Sequence, residues 1–271
     1  MFGLILAAAL AAQAPAEAAR AAADSVHTTA PSEEVRRYPA PEARQGVAVD
    51  ARHFYAVDDS RIAKYDKASG RKVAEWAGDP GKFPHLNSCE IVAAELVCAS
   101  SNYPQLPMSS SVEIFDPARM IHLRSIPLGP QPGSLTWVDR RDGAWWAVFA
   151  NYDGRGGEPG RDHRHTLLVR FDDGWRRTQA WSFPPTVLDR FAPRSSSGGG
   201  WGDDGLLYVT GHDAAELYVL RLAGAVLEHV ATVPIQAEGQ AVAWDVSQPR
   251  VLFGVSRARR EVVAMRIPAA R

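Results

Sequence analysis

From Gln45 onward the chain repeats one group of short strands, and that repeat constrains the fold more tightly than any other feature. The first copy reads as strands at 45–50, 53–57, 61–66 and 71–76, with a Ser69-Gly70 turn before the last. The second copy covers 88–92, 95–99, 111–116 and 121–126, and Phe115-Asp116 echoes Tyr65-Asp66. The third covers 134–139, 144–149, 166–172 and 177–183, and the fourth 199–202, 206–210, 216–222 and 227–233. A fifth copy at 240–245, 251–255 and 261–267 is one strand short. The residues that end each first strand, Asp50, Ala93, Asp139, Asp203 and Asp245, lie 43, 46, 64 and 42 residues apart. The long third interval carries two insertions.

A four-stranded sheet cannot bury both faces alone, so sheets repeated at this period pack side by side and close a ring. The expected fold is all-β, a five-bladed propeller, with six blades the competitor if the insertions conceal another sheet. A β-sandwich predicts neither the repeat nor the incomplete last copy. The missing strand has a candidate at the other end of the chain. Glu34-Val-Arg-Arg-Tyr38, just before Pro39, reads as a strand without a blade of its own. Paired beside 261–267, it would complete the last sheet and remove a bare edge.

The chain opens Met1-Phe-Gly-Leu-Ile-Leu and continues Ala-rich, with small-residue cleavage options up to Ala14-Pro15-Ala16. Residues 1–16 therefore read as a signal peptide, although no Lys or Arg follows Met1. Polarity returns at Gln13 and Glu17, too soon for a membrane span of about 20 apolar residues. Residues 17–31 read as a flexible leader and 32–268 as one propeller domain, periplasmic or secreted. The expected chain has no integral membrane segment after cleavage.

Thirty Lys+Arg stand against 31 Asp+Glu, a net charge of −1, which gives no global basic field for a nucleic acid or an acidic membrane. A small, neutral polar molecule is the expected partner, with a protein partner the other option.

Two cysteines set a further expectation by hairpin arithmetic. If Ala93-Ala94 is a two-residue turn, 92 faces 95 and, counting outward, Cys89 faces Cys98 at a non-hydrogen-bonded pair, where side chains are closest. A disulfide fits that spacing and an oxidising compartment.

In such a ring the first strand of each copy starts, and the second ends, at the same face. Residues at those places converge: Gln45, His85, Asn87, Ser134, Trp201 and Gln240 from strand starts, and Asn151, Tyr152, Asp213 and Arg257 from strand ends. Asp59 and Tyr103 occupy the same kind of place. These form an expected polar pocket on the axis. Glu238 precedes an inner strand with no cation beside it, and His212 follows Gly211 after a strand, so the two are the acid–base candidates. Metal and cofactor stay unassigned. His163 and His165 sit in a loop tip and read as solvated. Ser195-Ser-Ser-Gly-Gly-Gly-Trp-Gly202 lacks the Lys and helix of a phosphate loop, and no nucleophile elbow surrounds any serine.

Gln45-Gly46 before an apolar strand, and Gly200-Trp201-Gly202 followed by Asp204-Gly205 and a strand, resemble the glutaminyl-cyclotransferase-like and gluconolactonase-like propeller superfamily of secreted bacterial proteins. That resemblance covers two of the five copies. It implies a propeller with an axial site and, on the gluconolactonase side, a divalent cation held by Glu238 with Asn87 or Asn151. The Asn-Glu-Leu-Glu element of the cyclotransferases has no counterpart here. The expected function is an exported propeller binding a small polar ligand, either a lyase, cyclase or lactone hydrolase, or a non-catalytic recognition or scaffold propeller.

Overall fold

The computed structural model describes residues 26–270, and the expected signal peptide lies outside them. Five antiparallel sheets follow one another along the chain. The first contains β3 (Gly46–Val49), β4 (His53–Asp58), β5 (Arg61–Asp66) and β6 (Lys72–Ala77). The second contains β7 (Leu86–Val92), β8 (Glu95–Ser101), β9 (Ser109–Asp116) and β10 (Ile121–Pro130). The third contains β11 (Ser134–Arg141), β12 (Ala144–Ala150), β13 (Leu167–Phe171) and β14 (Arg177–Ser182). The fourth contains β15 (Gly198–Trp201), β16 (Leu207–Thr210), β17 (Glu216–Ala223) and β18 (Val226–Pro234). The fifth contains β19 (Val242–Trp244), β20 (Val251–Ser256) and β21 (Glu261–Arg266), completed by β2 (Glu33–Pro39).

The protein is a five-bladed β-propeller, and its closure is the one the incomplete repeat requires. Strand β2 pairs antiparallel with β21, with Tyr38 opposite Val262 and Glu34 opposite Met265. An ion pair between Arg37 and Glu261 (3.0 Å) ties the same two strands. Residues 27–28, in the expected flexible leader, are instead a strand: β1 (His27–Thr28) lies parallel to β18, with His27 opposite Ala231. It covers the outer edge of the fourth blade, which otherwise presents unpaired backbone groups.

Five apolar clusters fill the five junctions between neighbouring blades, one each. Phe54 and Tyr65 of the first blade meet Phe253 and Val255 of the fifth. Cys98 and Phe115 of the second meet Tyr55 and Ile62 of the first. The remaining clusters join the second to the third, the third to the fourth and the fourth to the fifth. Each sheet is thus buried on both faces, which explains strands such as β20 whose residues are all buried rather than alternating. The insertions in the third interval contain no additional sheet, which removes the six-bladed alternative. One holds the helix α1 (Pro185–Phe191), whose Val187, Leu188 and Phe191 pack between the third and fourth blades.

The inner strands approach closely around the axis, and glycine permits it. A Cβ on Gly46 would lie 2.3 Å from the Asn87 carbonyl oxygen, and one on Gly198 would lie 2.5 Å from the Ala241 Cα. In the second blade Ala93 and Ala94 both have positive φ, 48° and 68°, as a two-residue hairpin turn of the I′ kind requires. Val92 pairs with Glu95 and Cys89 with Cys98, and the two cysteines form a disulfide with Cα atoms 4.0 Å apart.

Candidate functional site

A cavity of about 360 Å³ opens on the axis where the first strands start and the second strands end. Every blade contributes to it through those two places. Arg44 and Gln45 precede β3, and Asp59 follows β4. His85 and Asn87 come from the start of β7, and Tyr103 follows β8. Tyr152 and Arg155 follow β12, while Arg194 and Ser197 precede β15 and His212 follows β16. Gln240 precedes β19 and Arg257 follows β20. A second cavity of about 390 Å³ shares Arg44, His212, Gln240 and Arg257 with the first and extends past Asp213, Glu238 and Arg260.

Nine residues expected at the pocket therefore line the axial cavity: Gln45, Asp59, His85, Asn87, Tyr103, Tyr152, His212, Gln240 and Arg257. Asp213 and Glu238 line only the side cavity. Ser134 is fully buried, and its hydroxyl is bonded to that of Ser101 (2.8 Å), joining the second and third blades. Asn151 is also buried, and its Nδ2 donates to the carbonyls of Pro132 (2.5 Å) and His165 (3.1 Å). Trp201 corrects the sequence expectation most clearly. Its strand begins three residues earlier, so Trp201 ends β15 and its ring packs on Trp146 (5.0 Å) under the Arg141 guanidinium (5.2 Å).

Glu238 also differs from its expected part. Its carboxylate accepts from the backbone N–H groups of Arg257 and Ala258 and from the Ser256 hydroxyl (3.2 Å). It caps the turn after β20, with both oxygens engaged by these donors. The carboxylate beside His212 is that of Asp213, which accepts from His212 Nδ1 at 2.5 Å. Arg257 Nη1 lies 3.4 Å from His212 Nε2. A guanidinium can only donate, so the hydrogen is on Nδ1 and the Nε2 lone pair accepts, over a long contact, from Arg257. Burial, then the charges of Arg194 and Arg257, push the His212 pKa below the ordinary histidine value, although Asp213 opposes them.

On the opposite wall, His85 Nδ1 (2.8 Å) and Gln45 Nε2 (3.0 Å) both donate to Asp59 Oδ1. Burial by itself would raise the Asp59 pKa, but the bond from His85, with Arg44 and Gln45, holds it below the usual range. The rings of His85 and Tyr103 lie 5.2 Å apart, and those of Tyr103 and Tyr152 5.0 Å apart, forming one aromatic face. Burial raises the Tyr152 pKa, so its phenol stays neutral. The loops carrying this face are clipped together: Met108 N donates to Glu158 Oε1 (2.6 Å), and Gly156 sits so close to the Tyr103 ring that a Cβ would come within 2.3 Å.

The charge balance was not visible in the sequence. Four arginines, Arg44, Arg155, Arg194 and Arg257, line the axial cavity against the single carboxylate of Asp59. Arg44 is loosely paired with Asp58 (3.4 Å), whereas Arg155, Arg194 and Arg257 have no ion-pair partner among the described residues. Arg44, Arg155 and Arg194 were not among the expected site residues. Arg44 and Arg194 stand two and four residues before β3 and β15 begin, and Arg155 lies inside an insertion. An expected neutral ligand does not suit this lining.

One group of metal-ligating type occurs elsewhere among the described residues. Asp153, Asp162 and His163 bring their donor atoms within 4.8 Å of one another in the third-blade insertion. Asp153 Oδ1 already accepts from both His163 N (2.9 Å) and His163 Nδ1 (2.6 Å), and Asp162 accepts from Arg164, so these groups fold the loop onto itself.

No family model matches the sequence, and no curated protein matches it either. Solved structures do resemble it. The glutaminyl cyclase of Myxococcus xanthus aligns with a TM-score of 0.60 at 11% identity, over 89% of this chain and 98% of that one. The PQQ-bound aldose sugar dehydrogenase of Streptomyces coelicolor aligns with a TM-score of 0.57 at 11% identity, over 88% and 98%. A luciferin-regenerating enzyme aligns with a TM-score of 0.53 at 10% identity, over 88% and 95%. The resemblance to a glutaminyl-cyclase-like propeller is thus one of fold, and at these identities it carries no activity across.

Proposed function

We propose that the protein is an exported propeller that binds a small anionic molecule in the axial cavity. The observation that carries this reading is the set of three guanidiniums without an ion-pair partner among the described residues, from Arg155, Arg194 and Arg257, facing one cavity whose only carboxylate among those residues is already engaged. Keeping like charges together is unfavourable unless an anion neutralises them, and guanidinium suits carboxylate and phosphate geometry. The cavity volume of about 360 Å³ is that of a small-molecule site. The Cys89–Cys98 disulfide and the expected signal peptide support export to the periplasm or beyond.

The His212–Asp213 pair, with an unprotonated Nε2 held only by a long contact from Arg257, favours an enzyme over a recognition or scaffold propeller. In that reading His212 moves a proton on the bound anion, as a lyase, cyclase or lactone hydrolase would need, and Glu238 has no direct part.

Calorimetric titration with small carboxylates, phosphates and neutral compounds of the same size tests the binding. Anions should bind and neutral compounds should not, and Arg257→Gln should weaken anion binding about tenfold or more, as loss of a charge-assisted hydrogen bond does. Equal affinity for neutral analogues, with no effect of Arg257→Gln, would place the ligand elsewhere.

A further inference from the structure

The floor of the axial cavity holds three carboxamides from three blades, Gln45, Asn87 and Gln240. Two of them are orientated by the protein. Gln45 Nε2 donates to the Asp59 carboxylate (3.0 Å) and Gln240 Nε2 donates to the His212 carbonyl (3.0 Å). Neither partner can donate in return, so in both residues the NH₂ end is turned to the protein, and the oxygen, with the second N–H hydrogen, is left over. Asn87 is 4% exposed, and its Oδ1 is buried without any partner among the described residues. That oxygen is turned into the protein, so the acceptors open to the cavity are the oxygens of Gln45 and Gln240.

The cavity thus presents acceptors from its floor and guanidiniums from its walls. A ligand complementary to both carries hydrogen-bond donors as well as negative charge. The donors could be ammonium or hydroxyl groups, and the four arginines decide between them by repelling an ammonium. Hydroxyls are neutral and satisfy the carboxamide oxygens without that cost. The rings of His85, Tyr103 and Tyr152, tilted 38° and 57° to one another, line one wall, and the middle ring, Tyr103, suits the C–H face of a saturated ring.

We infer that the ligand is a cyclic polyhydroxylated anion, a sugar ring carrying a carboxylate or a phosphate. This rests on the anion reading and narrows it. The hydroxyls meet the free oxygens and remaining N–H groups of Gln45 and Gln240, the ring lies against Tyr103, and the charged group meets Arg155, Arg194 and Arg257.

Isothermal titration of the purified protein with four probes tests this: glucuronate, glucose 6-phosphate, glucose and cyclohexanecarboxylate. One of the two sugar anions should bind at least about tenfold tighter than both glucose, which lacks the charge, and cyclohexanecarboxylate, which lacks the hydroxyls. Which of them binds separates the carboxylate from the phosphate source. Gln240→Met should erase most of the difference between glucuronate or glucose 6-phosphate and cyclohexanecarboxylate. Gln45→Met, at a half-buried position, makes the same test if the Gln240 variant does not fold. If cyclohexanecarboxylate binds as tightly as the sugar anions, the hydroxyl assignment is wrong while the anion reading stands. If no anion binds at millimolar concentration, or glucose binds as well as its charged relatives, both fall.

Discussion

Lys67 closes the ring in a way that can be broken without touching a strand. It follows β5 in the first blade, and its Nζ reaches across to Asp245 Oδ2 in the fifth (2.7 Å), with further bonds to the Asp50 carbonyl (3.0 Å) and Ser247 Oγ (3.1 Å). The side chains of Lys67 and Asp245 are 10% and 0% exposed, so this is a buried pair at the junction where the first and last repeats meet. Lys67→Met keeps the apolar stem and removes the charge, leaving the Asp245 carboxylate without a cation. Breaking a buried pair from one side costs about 3–5 kcal/mol. Asp245 keeps donors from Ser247 N (2.9 Å), Ser247 Oγ (2.6 Å) and Gln248 Nε2 (3.3 Å), which argues for the lower end, about 3 kcal/mol. For a chain of this size that is a fall in melting temperature of roughly 6–12 °C. The double variant Lys67→Met/Asp245→Asn removes the stranded charge and should recover part of the loss. Urea unfolding of the three proteins measures it. A cost below about 1 kcal/mol for Lys67→Met, or a double variant no better than the single, would show that the carboxylate is not stranded and that the pair contributes little to closure.

Deleting residues 26–39 removes both edge strands, β1 and β2, together with Tyr38, which packs on Phe54 (4.7 Å) and Phe253 (6.1 Å). The truncated chain should aggregate or melt far lower, and an unchanged calorimetric transition would refute the closure argument. Replacing Ala93-Ala94 by Asn-Gly supplies residues that accept positive φ and should stabilise the protein by about 1 kcal/mol, read as a higher urea midpoint. A lower midpoint would show that the alanine turn is not strained. His212 has a depressed pKa in the folded protein, so between that value and the ordinary one near about 6.5 the unfolded chain binds more protons, and its contribution to stability is lost as pH falls through this window. Protonation there adds a cation beside Arg257, so anion affinity should rise over the same fall in pH, and His212→Asn should flatten that dependence in titrations of a ligand whose own charge stays constant. A dependence unaltered by His212→Asn would assign it to another group.

The ring and its closure were legible because both follow from counting. A four-strand unit repeated near one period, with its last copy a strand short, leaves few ways to bury its faces, and Glu34 to Tyr38 was the one strand-like segment unassigned. The disulfide was legible for the same reason, since hairpin register is arithmetic once the turn is placed. Side chains at the cavity followed the same geometry only while they lay on the strands themselves. Gln45, Asn87 and Gln240 are set by the first strands, and Arg257 and His212 by the residues just past the second. Trp201 was misplaced because the glycine run hides where β15 begins, and a shift of three residues along a strand carries a side chain from one mouth of the ring toward the other. Arg155 and Arg194 belong to the two insertions in the third interval, whose paths no repeat predicts, and a long guanidinium side chain reaches the axis from several residues away. The charge of the site therefore stayed hidden behind a net charge of −1, because only the fold sorts which of thirty basic residues face one cavity. The same cause explains Glu238. It lies before an inner strand as expected, but what it accepts depends on the turn after β20, where the backbone N–H groups of Arg257 and Ala258 converge on it.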